Sequence, residues 1–215
     1  MLRIAITDDH TLIRKSLSLL VGSFEDVEVV IEAGNGIELL EKLQSQTVDI
    51  LLLDLQMPEM DGFETSAKIN ELYPDIKILV LTFRDEDDTI KKLIQLGVHG
   101  YFTKNTAPSE LKNAIMKIND GGFYFEKSLT TIIHQILDDT PKVSKVKEHL
   151  IFSERELDIV RLTLKEYSGI QIADKLNISP KTVEKHKRNL MEKIGAKNFI
   201  GVITYALIHN FLSLK

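Results

Sequence analysis

Residues 48–62, VDILLLDLQMPEMDG, restrict the fold more than any other stretch of this 215-residue chain. Ile50 to Leu53 form an unbroken apolar run that ends in an acid, Asp54, and is followed by Met57-Pro58 and Asp61-Gly62. A run this short, apolar on both faces and closed by turn residues, reads as a buried strand of a parallel sheet. Its last residue then sits at the carboxyl edge of that sheet, where open α/β folds place their chemistry. On this stretch alone, Asp54 is equally a reactive group or an acid capping the next turn.

The neighbouring sequence repeats the pattern. Strand-like runs occur at Leu2 to Thr7, Val27 to Ile31, Asp49 to Leu53, Ile76 to Thr82 and Gly100 to Thr103. Helix-period segments lie between and after them, near Thr11 to Val21, Ile37 to Gln46, Phe63 to Leu72, Asp85 to Leu96 and Pro108 to Asn119. Five strand-then-helix units predict an α/β, flavodoxin-like doubly wound domain with five parallel strands and helices on both faces.

The strand ends then form one rim. Asp8-Asp9 follow the first strand, Asp54 ends the third, Thr82 ends the fourth and Lys104 follows the fifth. Three carboxylates on one edge raise one another's pKa unless a cation sits among them. Mg²⁺ suits carboxylates, water and a phosphoryl oxygen. The Lys104 ammonium and Thr82 hydroxyl are the donors that a phosphoryl group needs. Singly, each residue is an ordinary cap or surface group; together they describe phosphoryl transfer to Asp54. A haloacid-dehalogenase-like phosphatase would carry Asp-x-Asp after its first strand, where this chain has Asp8-Asp9-His10. A dinucleotide site would need Gly-x-Gly-x-x-Gly at the same place, and Gly34-Asn35-Gly36 follows the second strand without a third glycine.

With these residues in view, the front half resembles the receiver domain of bacterial two-component response regulators. The match runs through Asp8, Asp9, Asp54 to Gly62, Thr82 and Gly100 to Lys104. The resemblance implies that a sensor histidine kinase phosphorylates Asp54 and that Asp9, Asp54 and the Gln56 backbone carbonyl ligate Mg²⁺, with Asp8 supporting the ion through water. It also implies a switch made by Thr82 and Tyr101. The chain departs from the family at Phe83, where a small residue is common, and at Asn105, where proline is common. Gln56 and Arg84 fall at the positions that flank the attacking water.

Charge divides the chain. Residues 1–122 carry 12 Lys and Arg against 21 Asp and Glu (net −9), residues 123–147 carry 4 against 3 (net +1), and residues 148–215 carry 11 against 8 (net +3). An acidic front and a basic back imply two modules with different partners: residues 1–122, a linker over 123–147, and residues 148–215. Within the linker, Lys127 to Leu137 has the spacing of a short amphipathic helix, and Asp138 to Glu148 reads as a polar tether. There is no cysteine, so thiol chemistry and disulfides are excluded. No run approaches bilayer length, and the start lacks a signal-like segment; the expected location is the cytoplasm, without membrane attachment.

The back half reads as a small four-helix, all-α module. Ser153 with Glu156 is a capping box, and Ser179-Pro180 is a sharp helix start after a three-residue break. Along the helix that follows, Val183, Leu190 and Ile194 form the apolar stripe. Lys181, Glu184, Lys185 and Arg188 share an outward face with Lys187 beside them. The last helix is apolar on more than one side, which implies a dimer surface. This half resembles the LuxR-type helix-turn-helix domain through Ser153 to Glu156, Ile172-Ala173, Ile178-Ser179, Thr182-Val183, His186, Leu190 and Lys193. The likeness implies that Glu184, Lys185 and Arg188 meet base edges of double-stranded DNA while Thr182, His186 and Lys187 serve its backbone. Gly169-Ile170-Gln171 stands where that family more often has Asn, Lys and Glu. The expected protein is a NarL/FixJ-type response regulator, a homodimer when active, and not an enzyme beyond its own phosphorylation and dephosphorylation. An adaptor that signals through protein contacts is the competing reading.

Overall fold

The computed structural model describes residues 1–83, 87–104, 107–125, 131, 152–209 and 211–212, and divides into two compact units, Met1–Asn119 and Asp120–Lys215. The expected amphipathic helix at 127–137 (Thr131 apart), the tether at 138–148, Arg84 and Asn105 lie outside the described residues.

In the first unit, five strands alternate with five helices. These are β1 (Leu2–Thr7), α1 (Thr11–Gly22), β2 (Val27–Ala33), α2 (Gly36–Leu43), β3 (Ile50–Asp54), α3 (Gly62–Leu72), β4 (Lys77–Thr82), α4 (Asp87–Leu96), β5 (Gly100–Thr103) and α5 (Pro108–Asn119). The sheet is parallel throughout, in the order β2-β1-β3-β4-β5. All five residues of β3 are buried, as its apolar run requires of a central strand covered on both faces. Strand order reverses between β1 and β3. The crevice at their carboxyl ends is therefore the switch point of the sheet, and Asp8, Asp9 and Asp54 stand on it.

The expected elements are present, with shifted ends. β2 runs two residues further than its apolar pattern, because Ile31, Glu32 and Ala33 stay in register with Ala5, Ile6 and Thr7. α2 begins at Gly36, capped by the Asn35 side chain accepting from the Glu38 N–H at 2.9 Å, and ends at Leu43 rather than Gln46. α5 is followed by Gly121 at φ +77°, a left-handed conformation that glycine adopts without strain.

The second unit contains, among the described residues, α6 (Glu154–Leu164), α7 (Gly169–Leu176), α8 (Pro180–Ile194) and α9 (Phe199–Ile208). Its core gathers Leu157, Ile159, Val160, Ile172, Ala173, Val183 and Leu190. One expectation is corrected here. Phe199, Ile200, Val202, Ile203, Ala206 and Leu207 of α9 are all buried, so its apolar excess fills the core and leaves no broad face for a dimer. Phe152, Tyr205 and Phe211 close the end of α9 as an aromatic cluster, with Phe152 edge-on to the other two rings and Tyr205 and Phe211 stacked.

Candidate functional site

The crevice of the first unit is built by four strand ends, those of β1, β3, β4 and β5. Asp54 closes β3 in register with Leu81 of β4, and its Oδ1 accepts the Leu55 N–H at 2.7 Å. Lys104, just past β5, places its Nζ 2.7 Å from Asp8 Oδ2 and 2.7 Å from Asp54 Oδ2, with all three side chains no more than 5% exposed. The Lys104 backbone N–H donates to the Thr82 carbonyl at 2.9 Å, so β4 and β5 hold the ammonium at that depth. Asp9 is more open and lies 2.7 Å from His10 Nδ1. Thr82 and Tyr101 are both buried, whereas Phe83 is 55% exposed with Lys104 Nζ 5.3 Å from its ring.

The loop after Asp54 is fixed at both ends. The Gly62 N–H returns to the Leu55 carbonyl at 3.0 Å, and the Asp61 side chain caps α3 by accepting from Glu64 N–H at 2.9 Å. A side chain at Gly62 would run into the Asp54 carbonyl oxygen and the Leu55 Cα, so glycine is what lets the chain pass this close. The loop presents Gln56 beside Asp9 in a cleft of about 510 Å³ also lined by Leu55, Met57, Pro58, Asp61 and Phe63.

Burial pushes the Asp54 carboxyl above the ordinary aspartate range; the hydrogen bond and charge of Lys104 oppose this, and the Asp8 charge adds to it. Ligand atoms of Asp8, Asp9, His10 and Asp54 lie within 4.8 Å of one another. Three carboxylates against one ammonium leave an excess of negative charge, and oxygen donors at this spacing fit an octahedral ion with bonds of about 2.1 Å. The residues therefore suit Mg²⁺, as receiver domains in general bind it at an acidic pocket.

The second unit carries a helix-turn-helix. α7 ends at Asn177 in the left-handed conformation, and the Ile178 N–H bonds back to the Ala173 carbonyl at 3.0 Å. Ser179 then caps α8 by accepting from the Thr182 N–H at 3.1 Å, with Pro180 in the first turn. Lys181, Thr182, Glu184, Lys185 and Arg188 line a groove of about 440 Å³ with Ser179. His186 is half-buried. Lys187 departs from expectation: it is 4% exposed, its Nζ donates to the Gly121 carbonyl of the same unit at 2.6 Å, and it lies over the Phe199 ring. The reason is helical arithmetic. Lys187 follows Val183 by four residues and precedes Leu190 by three, which puts it on the buried stripe.

Two capping boxes steady the motif. Ser153 with Glu156 starts α6; burial would raise the Glu156 pKa, but the Ser153 N–H and Lys193 at 3.3 Å outweigh it and hold the carboxyl below its usual range. Ser168 with Gln171 starts α7, the Gln171 Oε1 accepting the Ser168 N–H at 2.9 Å. The amide thus fills the place of the Glu more common in the family. The Ser-x-x-Gln spacing was the signal for it.

Known proteins agree with this architecture. The response regulator receiver domain model matches residues 4–116, and that of the luxR family of bacterial regulatory proteins matches residues 150–206. The oxygen regulatory protein NreC of Staphylococcus epidermidis is 36% identical over 211 residues, covering 96% of this chain and 97% of that protein. The RcsB response regulator of Salmonella typhimurium superposes with a TM-score of 0.58 at 25% identity, over 95% of this chain and 98% of that one. A structure of two RcsB dimers bound to two parallel DNAs matches with a TM-score of 0.56 at 25% identity, over 95% and 97%. Both halves and nearly the full length are accounted for, and the chain belongs to the NarL/FixJ-type two-component response regulators, which join a receiver domain to a LuxR-type DNA-binding domain.

Proposed function

We propose that Asp54 is the phosphoryl acceptor and that a sensor histidine kinase supplies the group. The observation that carries this reading is the junction of Asp8, Asp54 and Lys104, two 2.7 Å contacts at the switch point of the sheet. One Asp54 carboxylate oxygen attacks phosphorus, a phosphorus–oxygen bond forms, the bond from phosphorus to the kinase imidazole nitrogen breaks, and the nitrogen keeps the electron pair. The Lys104 ammonium holds the charge on the transferred group, and the Thr82 hydroxyl donates to one of its oxygens. Asp9, Asp54 and the Gln56 carbonyl would hold Mg²⁺ with Asp8 supporting it; bound there, the ion neutralises phosphoryl oxygens. The chain's own chemistry is confined to gaining and losing this group. Tyr101, buried on β5 in register with Val80, follows the hydroxyl as the switch.

The output is DNA binding through α8. Glu184, Lys185 and Arg188 face base edges, and Lys181, Thr182 and His186 serve the phosphate backbone. Phosphorylation controls either dimerisation or exposure of this helix, and the DNA-bound RcsB dimers support the dimeric form. The test is mass spectrometry after incubation with a small phosphodonor and Mg²⁺. The wild type gains one phosphoryl group, and Asp54→Ala gains none; persistent labelling of the variant would refute the assignment.

A further inference from the structure

His10 occupies the N-cap of α1, yet its side chain makes no capping bond. Ser, Thr, Asp and Asn do that work better, and the ring is turned elsewhere. Nδ1 lies 2.7 Å from Asp9 Oδ1 and 3.5 Å from Asp8 Oδ1, while the His10 backbone N–H is fixed to Asp8 Oδ1 at 2.8 Å. The side chain is 59% exposed, so an ion arriving from solvent meets it without any repacking.

We propose that His10 adds a nitrogen ligand to the carboxylate site, so that the site takes divalent transition ions, Ni²⁺ above all, through its imidazole as well as Mg²⁺ through oxygen. The proposal rests on the Mg²⁺ reading of Asp8, Asp9 and Asp54. Ligand atoms of all four residues lie within 4.8 Å of one another. An ion with bonds of about 2.1 Å places opposite ligands about 4.2 Å apart, so one ion reaches the four with small adjustments. Mg²⁺ selects oxygen and gains nothing from an imidazole, whereas imidazole suits Ni²⁺ and Zn²⁺, and Mn²⁺, best suited by oxygen, still accepts one nitrogen. His10 is therefore a selectivity residue, acting on which ion is held.

The experiment uses the full chain and His10→Asn, a substitution that keeps a good N-cap. Calorimetric titration with Ni²⁺ should show affinity reduced by at least about tenfold, the loss that even an outer partner of a ligand produces, with Mg²⁺ affinity unchanged. Pulsed electron paramagnetic resonance of bound Mn²⁺ should show nitrogen coupling in the wild type and none in the variant. Asp9→Asn should weaken both ions, which locates Ni²⁺ here rather than at another histidine. Equal losses of Mg²⁺ and Ni²⁺ in His10→Asn, or no nitrogen coupling in the wild type, would overturn the ligand role alone. If the wild type binds neither ion, the Mg²⁺ reading falls and this inference with it.

Discussion

Asp54 is caught between burial, which favours its neutral form, and Lys104, which favours the anion; burial wins, and the carboxyl stays above its ordinary range. Mg²⁺ ligates only the carboxylate, so ion and proton compete for Asp54. The sign follows: as pH falls through the raised metal-free pKa, Mg²⁺ affinity drops, starting above the value near 3.9 expected of an exposed aspartate. Calorimetry in buffers of different ionisation enthalpy should detect proton release on Mg²⁺ binding that grows as pH is lowered toward that pKa, and Asp54→Asn should reduce it; an equal release from the variant would mean that Asp54 is not the group concerned. The residues of this site were legible because each follows or ends a strand, and strand period alone locates the rim. What spacing could not convey is depth: that Lys104 bridges Asp8 and Asp54, that Tyr101 is buried, and that Gly62 is demanded by a near collision with the Asp54 carbonyl.

At the level of elements, α8 obeys its sequence period throughout, even at the one position where charge argues against it. Lys181, Glu184, Lys185 and Arg188 share an exposed groove as their spacing requires, but Lys187 turns inward between Val183 and Leu190. Its charge argues for solvent and its period for the core, and period decides. A lysine stem packs readily on apolar surface if its ammonium finds an acceptor, here the Gly121 carbonyl. The same structure removes the dimer argument from α9, whose second apolar side is core; one sequence cannot tell a helix buried all round from one half-covered by a partner copy. Replacing Lys185 and Arg188 together by Ala should weaken duplex binding throughout the salt range, by about 1–3 kcal/mol per lost base contact. Electrophoretic shift or fluorescence titration across a salt series measures it. Unchanged binding would favour the adaptor reading over DNA recognition.

For the whole molecule, an acidic first unit and a basic second unit accord with the two partners proposed for them, a phosphoryl donor and a polyanion. A dimer would present two α8 helices to half-sites about one helical turn, 10 bp, apart. In sedimentation experiments, the full chain with phosphodonor and Mg²⁺ should therefore dimerise at concentrations where the untreated chain is monomeric; equal dimerisation without phosphodonor would detach assembly from phosphorylation. The contact of Lys104 with Asp8 and Asp54 bears on the time the protein spends waiting. An ammonium tethered to the chain is a counter-ion that cannot diffuse away, so the crevice is never left as a bare cluster of acids when divalent ions are scarce. Lys104 therefore tempers the repulsion between Asp8 and Asp54 from within the chain, and removing its ammonium would leave two buried carboxylates uncompensated.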